Sequence, residues 1–441
     1  MSQPNTTTAS SPVSAPIKGR GSSSNMANRF SLQTSEYFQN ESYFQSSTQN
    51  KRSQRAGVKN THVKSNHHQA VNSENLIQSV PADQQTDLLS GLPDIYSAET
   101  VSTDTVSADT VIEDSLSSDI ASDLTVNPKT VYIKETCKSI INYNQSPDIP
   151  FDRSVNIYRG CEHGCIYCFA RPTHSYLDLS PGLDFETKII YKHNAIEQLK
   201  KELESPRYQC KPIALGINTD AYQPIDEQLK LTRQALQVCL EYKQPVSLLT
   251  KSKLVLRDLD ILQDLSKENL VSVGVSLTSL NNRLKTIMEP RTASAKARLN
   301  VMKQLTDNGI ATTAMIAPII PAINDKEIER LLDAVHQQGV EQAGYVLLRL
   351  PYELKTLFSD WLEQHFPYRK QKVLNYLYDM RNGQLNNSEF GTRMTGSGIF
   401  ANLFKIRFQV ACRKFQINMS KPQPLNCDLF KNHQPAQLAL L

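Results

Sequence analysis

Asn156-Ile157-Tyr158-Arg159-Gly160-Cys161-Glu162-His163-Gly164-Cys165-Ile166-Tyr167-Cys168-Phe169-Ala170-Arg171-Pro172 is the stretch around which the chain is organised. It sets three cysteines at C-x3-C-x2-C spacing, directly after a short apolar, β-prone run. Cys thiolates hold iron–sulfur clusters, and spacing this close lets one loop wrap a four-iron cluster. Three protein ligands leave one iron open, where a substrate or cofactor can be bound and activated. Gly160 and Gly164 supply the turn freedom that such a loop needs. Structural zinc is the competing reading. It prefers four protein ligands, so the fourth would have to be His163, His174 or a distant Cys, and the chain has no second C-x2-C.

At 441 residues the chain has room for two or three domains and a large α/β core. Its hydrophobic content of 39% is low for a folded protein, and the deficit sits in the first third. The formal charge of +4 is too mild to argue for nucleic acid by itself. Eight cysteines in so long a chain, three of them clustered, do not read as a disulfide framework. No apolar run reaches membrane-spanning length, and the Ser/Thr/Gln-rich start lacks the apolar core of a signal peptide. A cytoplasmic, reducing location is the expectation.

Residues 1–126 are rich in Ser, Thr, Gln, Asn and Asp. Such a composition buries too little apolar surface to offset its ordering entropy, so this region reads as disordered and low in complexity. Basic residues dominate it up to Lys64, whereas residues 67–127 carry Asp and Glu but no Lys or Arg. The near-repeat that starts at Thr100, Thr105 and Thr110 is too short for a solenoid. It reads as linker slippage or as a docking tail for a basic partner.

From Pro128 the texture becomes regular. β-prone runs at 154–158, 213–217, 245–250, 271–276, 311–317 and 343–348 alternate with helical spacing at 185–203, 226–242, 254–266, 292–308 and 326–338. Strand–helix units every ~30 residues specify a parallel sheet with right-handed crossovers. Six such units make a partial (β/α)6 TIM-like barrel over residues 127–352, with a helical C-terminal extension over 353–441. In such barrels reactive residues gather at the C-terminal strand ends, and the cysteine loop follows the first strand.

C-x3-C-x2-C with an aromatic, Tyr167, before the last Cys resembles the radical S-adenosylmethionine (SAM) signature. The run from Ser146 through Cys165, followed by Ala170-Arg171-Pro172-Thr173-His174, is similar to bacterial radical SAM proteins grouped with spore photoproduct lyase and described as DNA repair photolyase-like. The resemblance covers residues 134–417. A basic island at Lys18-Gly19-Arg20-Gly21 and Asn25–Phe30 is similar to the start of family members, which implies that a segment over 18–30 docks on the core. The resemblance implies a [4Fe-4S] cluster on Cys161, Cys165 and Cys168, with S-adenosyl-L-methionine on the open iron. It also implies an electron donor such as flavodoxin or ferredoxin.

The remaining strand exits follow from the same resemblance. The second-strand exit contacts the SAM amino group in similar proteins, which points to Thr219 and Asp220. A turn capped by Asp is the alternative there, although Asp226 is the better cap for the next helix. Lys251 and Ser276, after strands three and four, match positions that hold the SAM carboxylate. A cation and a hydroxyl suit that group. Arg291, in Glu289-Pro290-Arg291, either clamps SAM or pairs with Glu289, and Thr292 is a plausible cap for the helix that follows. Arg349, after strand six, points to substrate or to a carboxylate across the mouth. Farther on, glycines at 391, 396 and 398 precede a helix, where free amides can cradle an anion. Arg393, Lys405, Arg407, Arg413 and Lys414 make this the most basic folded stretch, so nucleic acid is a candidate partner.

These readings lead to reductive cleavage of SAM to a 5′-deoxyadenosyl radical that abstracts hydrogen from a substrate. A DNA lesion is one candidate substrate, while RNA, protein or a metabolite is another. A non-catalytic iron–sulfur regulatory protein is a third reading. The lyases carry a hydrogen-donating Cys where this chain has Ile217, and Cys210 falls on the wrong side of that strand. Cys137, Cys210, Cys239, Cys412 and Cys427 read as inert thiols.

Overall fold

The structure, a computed structural model, describes residues 17–30 and 129–432. The low-complexity region between these two segments lies outside the described residues.

The core runs β1 (Val131–Glu135), β2 (Ile141–Tyr143), β3 (Arg153–Val155), β4 (Tyr158–Arg159), α1 (Asp184–Thr187), β5 (Lys188–Lys192), α2 (Ala195–Leu203) and β6 (Ile213–Leu215). It continues through α3 (Asp226–Leu229), α4 (Leu231–Glu241), β7 (Val246–Thr250), α5 (Leu259–Ser266), β8 (Val271–Ser276), α6 (Asn282–Met288) and α7 (Ala295–Asp307). Next come β9 (Ala311–Ile319), α8 (Ile328–His336) and β10 (Gln342–Leu347), and then three helices, α9 (Leu354–His365), α10 (Pro367–Met380) and α11 (Gly398–Lys414).

The larger sheet has the order β10-β9-β8-β7-β6-β3-β2. Its six strands from β3 to β10 are mutually parallel, and β2 pairs antiparallel at the end. The sheet stays open between β10 and β2, as a partial barrel should. Alternation along β7 and β8 explains how it packs. Val246, Leu248, Val271, Val273 and Val275 are buried in one apolar core with Leu236, Leu262, Leu265, Val301 and Met302 of the helices. Each buried Leu or Val contributes roughly 1.5–3 kcal/mol, so this helix-facing layer dominates the folding energy. Because the strands are parallel, their C-terminal exits share one rim.

Several local expectations are corrected. The helical spacing over 185–203 is interrupted: α1 ends at Thr187, and Lys188–Lys192 is β5. β5 pairs in parallel with β1 and antiparallel with β4, forming a second sheet of order β1-β5-β4. The helix expected over 226–242 breaks at Lys230, whose φ is +52°. Asp226 lies inside α3 and does not cap it; its Oδ1 instead accepts from the Thr232 amide at the start of α4. The cap of α7 is Ser294, not Thr292, whose hydroxyl donates to the Glu289 carbonyl. The glycine loop before α11 is no open cradle either, because Asp148 already accepts from the Gly391 amide and pairs with Arg393.

Residues 17–30 lie as a strap across the cysteine loop. The Arg20 guanidinium donates to the Glu186 carbonyl and to Thr130, and the Gly21 and Ser22 amides donate to the Glu186 carboxylate at 2.9 Å each. Asn25 exchanges hydrogen bonds with Asp184, and Arg29 pairs with Glu353 at 3.0 Å. A Cβ on Gly21 would stand 1.8 Å from the Gly164 carbonyl oxygen, so only glycine lets the two backbones meet. Gly21→Ala should therefore lift the strap. Hydrogen exchange is expected to show lost protection at Ser22 while β7 and β8 stay protected; retained protection at Ser22 would contradict this geometry.

Candidate functional site

The loop bearing Cys161, Cys165 and Cys168 follows β4, the strand of the smaller sheet that comes directly after β3, and is held mainly through its own backbone. The Cys161 amide donates to the Phe185 carbonyl at 2.9 Å. Gln223, from the exit of β6, clasps the same turn from both sides: it donates to the Gly160 carbonyl and accepts from the Glu162 amide at 3.1 Å. The Ile166 amide donates to the Met288 carbonyl, and the Arg291 amide donates to the His163 carbonyl. Beneath the loop, Arg171 donates to the carbonyls of Gly164 and Cys165 and forms a fully buried pair with Glu186 at 2.5 Å. Gly164 has φ +65°, and a Cβ there would meet the Glu186 carboxylate at 2.6 Å. Glycine is thus required at that turn for both shape and space.

Cys161 and Cys165 are buried, whereas Cys168 is half-buried. Burial pushes the Cys161 thiol well above its ordinary value, helped by Asp220 and by the two neighbouring cysteines. Burial also pushes Cys165 up to about 12, against the pull of the Lys251 cation. Loading a metal here must therefore displace protons. Among the described residues no group of three or more His, Cys, Asp or Glu is gathered as it would be around a metal ion. The fit to a cluster rests instead on donor chemistry. Three thiols share one braced loop within electrostatic reach of one another, and a cation stands beside them.

Three of the residues singled out from the sequence come together at the neighbouring exits. Asp220 accepts from the Lys251 amide at 2.8 Å and from the Thr250 hydroxyl at 2.7 Å. The Lys251 Nζ lies 3.5 Å from the Ser276 hydroxyl. Burial would raise the Asp220 carboxyl, but His163 (Nδ1 at 3.3 Å) and these hydrogen bonds hold it down at about 2. Burial would lower Lys251, but the Glu289 and Asp220 carboxylates and the nearby Cys165 sulfur outweigh it and keep Lys251 a cation.

The others are engaged with different partners. Thr219 donates to the Tyr158 carbonyl and so ties the exit of β6 to β4. Tyr167 is buried, with its hydroxyl directed to Glu289. Arg291 does not pair with Glu289; its partner is the buried Glu162 at 2.9 Å, which also accepts from Thr130 and Tyr132. Arg349 stands over the Phe169 ring at 5.4 Å. Sequence reasoning missed Gln223, the Arg171–Glu186 pair and the partner of Glu289, which is Arg298. No local spacing joins Glu186 or Gln223 to the loop, since each acts across a fold contact. Inside the cysteine motif itself, Glu162 pairs with Arg291 and the His163 Nδ1 stands 3.3 Å from Asp220.

Glu289 shows how the floor of the site is neutralised. Burial alone would raise its carboxyl, yet Arg298 and Lys251, with the Thr278 hydroxyl at 2.5 Å, hold it at about 2. A carboxyl depressed from 4.5 stabilises the fold fully above that value and loses its contribution as pH falls toward about 2. Glu289→Gln should accordingly flatten the acid limb of a denaturant-derived stability curve between pH 4.5 and 2. Glu289→Ala, which strands the buried Arg298, should cost about 3–5 kcal/mol at neutral pH.

The radical SAM superfamily model matches residues 155–335. An uncharacterized protein of Mycobacterium tuberculosis is 35% identical over 234 residues, spanning 52% of this chain and 69% of its own length. An uncharacterized protein of Methanocaldococcus jannaschii is 29% identical over 251 residues, spanning 57% of this chain and 89% of its own. Among solved structures, spore photoproduct lyase complexed with dinucleoside spore photoproduct aligns at TM-score 0.49 and 16% identity, over 66% of this chain and 81% of that one. With its cysteine loop at the head of an open parallel barrel, the chain belongs to the radical SAM superfamily.

Proposed function

We propose that the chain is a radical SAM enzyme in which Cys161, Cys165 and Cys168 hold a [4Fe-4S] cluster and the rim residues hold SAM beside it. The observation that carries this is the grouping of Lys251, Ser276 and Asp220 at adjacent strand exits next to the Cys165 thiol. When bound, the cluster and SAM together supply one-electron cleavage of a carbon–sulfur bond and a carbon radical for hydrogen abstraction. The chain's own part is positional. Lys251 offers a cation and Ser276 a hydroxyl suited to the SAM carboxylate, and Asp220 an acceptor suited to its ammonium. Gln223 and Arg171 fix the loop that presents the thiols.

A nucleic acid is the substrate class that the mouth supports best. Phe30, Tyr176 and Tyr352 are 46%, 68% and 62% exposed, high for rings beside a barrel mouth. All three stand within 4.4–4.7 Å of the Arg29 guanidinium, and Phe169, directly after Cys168, is 43% exposed. Open ring faces stack on bases at about 1–3 kcal/mol per base. A damaged base in DNA therefore fits this surface. The basic residues of the C-terminal extension are poorer support, because Arg393 and Arg407 are already paired with Asp148 and Glu329.

Anaerobic reconstitution should give a cluster signal by EPR and iron analysis, lost when all three cysteines become Ala. Reduction with SAM should release 5′-deoxyadenosine and methionine. A cluster without that release would make the chain a non-catalytic iron–sulfur protein. Tyr176→Ala and Tyr352→Ala should each weaken single-stranded DNA binding about tenfold with iron content unchanged. Absence of salt-dependent DNA retention in the parent protein would instead favour RNA, protein or a metabolite as substrate.

A further inference from the structure

The underside of the barrel carries a feature that the radical chemistry does not use. After α11 the chain runs back as an irregular segment, residues 421–430, with a turn at 428–429, along the N-terminal ends of the strands. The Asn426 amide donates to the Asn269 carbonyl just before β8, and the Asn269 side chain donates to the Pro424 carbonyl, both at 2.9 Å. The Lys431 amide donates to the Tyr242 carbonyl at 2.8 Å. The Phe430 ring packs on Tyr208 at 5.4 Å, and Tyr208 shares the Gln244 Oε1 acceptor with Cys210. These contacts bracket Cys427 and hold it beside Cys210, within electrostatic reach of its thiol. Both cysteines are half-buried, within reach of a small reagent.

The remaining thiols are placed differently. Cys239 and Cys412 are buried, and Cys137 points its thiol at the Asn194 side chain. Cys210 lies before β6, at the end of the sheet opposite the cysteine loop, so what happens there leaves Cys161, Cys165 and Cys168 untouched.

We infer that Cys210 and Cys427 form a redox-responsive disulfide that locks the C-terminal segment to the barrel underside. The oxidant is a low-molecular-weight disulfide of the glutathione type. Burial pushes the Cys210 thiol up to about 12, which makes it the poorer nucleophile, so the first attack is assigned to Cys427. Its sulfur bonds to one sulfur of the reagent, the reagent's S–S bond breaks, and the first small thiol leaves. Cys210, losing its proton, then displaces the second small thiol. Two electrons pass from the protein sulfurs to the reagent, and the two protons end on the released thiols.

The test uses the full chain prepared anaerobically with its cluster, treated with oxidised glutathione, alkylated and digested without reductant. Mass spectrometry should find the Cys210 and Cys427 peptides joined and lighter by two hydrogens, with the other cysteines unlinked. Limited proteolysis within 421–432 should slow several-fold in the oxidised protein and recover after reduction. Cys210→Ser and Cys427→Ser should each abolish both effects and leave iron content unchanged. Glutathione left on either cysteine without a bridge would overturn the inference. So would a bridge that leaves the cleavage rate unaltered.

Discussion

The Arg171–Glu186 pair is the contact on which the site depends. Arg171 has five N–H donors, and all have acceptors: the carbonyls of Cys165, Gly164, Pro181 and Gly182, and the Glu186 carboxylate. Glu186 in turn accepts the Gly21 and Ser22 amides. A buried ion pair adds little net stability, since desolvation offsets the Coulomb attraction. Its effect here is to set register. One guanidinium fixes the loop carbonyls, and the carboxylate opposite fixes a segment from far upstream. Removing either partner would leave a buried charge and release both neighbours at once.

Charges around the rim are arranged in closed groups. Glu162 is neutralised by Arg291 and capped by two hydroxyls, and Glu289 is neutralised by Arg298. With those carboxylates satisfied, Lys251 stays charged beside Cys165 and Asp220 stays ionised beside His163. A thiolate and a zwitterionic ligand would both meet an oriented charge there without reorganisation, which is how polar sites assist chemistry in a poorly solvated pocket.

The cysteine loop and the six parallel strands were legible because each is written locally. Cys161, Cys165 and Cys168 sit within one turn-rich loop, and runs such as Val271–Ser276 are β-branched and continuous. Residues 185–203 misled because Phe185, Ile189 and Leu199 satisfy helical spacing while Lys188–Lys192 finds a strand partner in β1, far back in the chain. Arg291 was open between a SAM clamp and a pair with its sequence neighbour Glu289, whereas the fold supplies Glu162 as its partner. The grouping of Lys251, Ser276 and Asp220 followed from their positions at adjacent strand exits, whereas Gln223, a plain amide in a turn, carried no such mark.

The strap also imposes an order on assembly. During synthesis residues 17–30 emerge first, yet their acceptors arrive in two instalments. Glu186 comes with the first third of the barrel, and Glu353 comes only after β10, the last strand. The Arg20 end can therefore seat on the cysteine loop early, while the Arg29 end must wait for the sheet to be finished. Because Arg29 gathers Phe30, Tyr176 and Tyr352 around itself, the aromatic wall of the mouth comes into being only on a completed barrel. A half-made chain would hold its thiols in place with no such wall beside them.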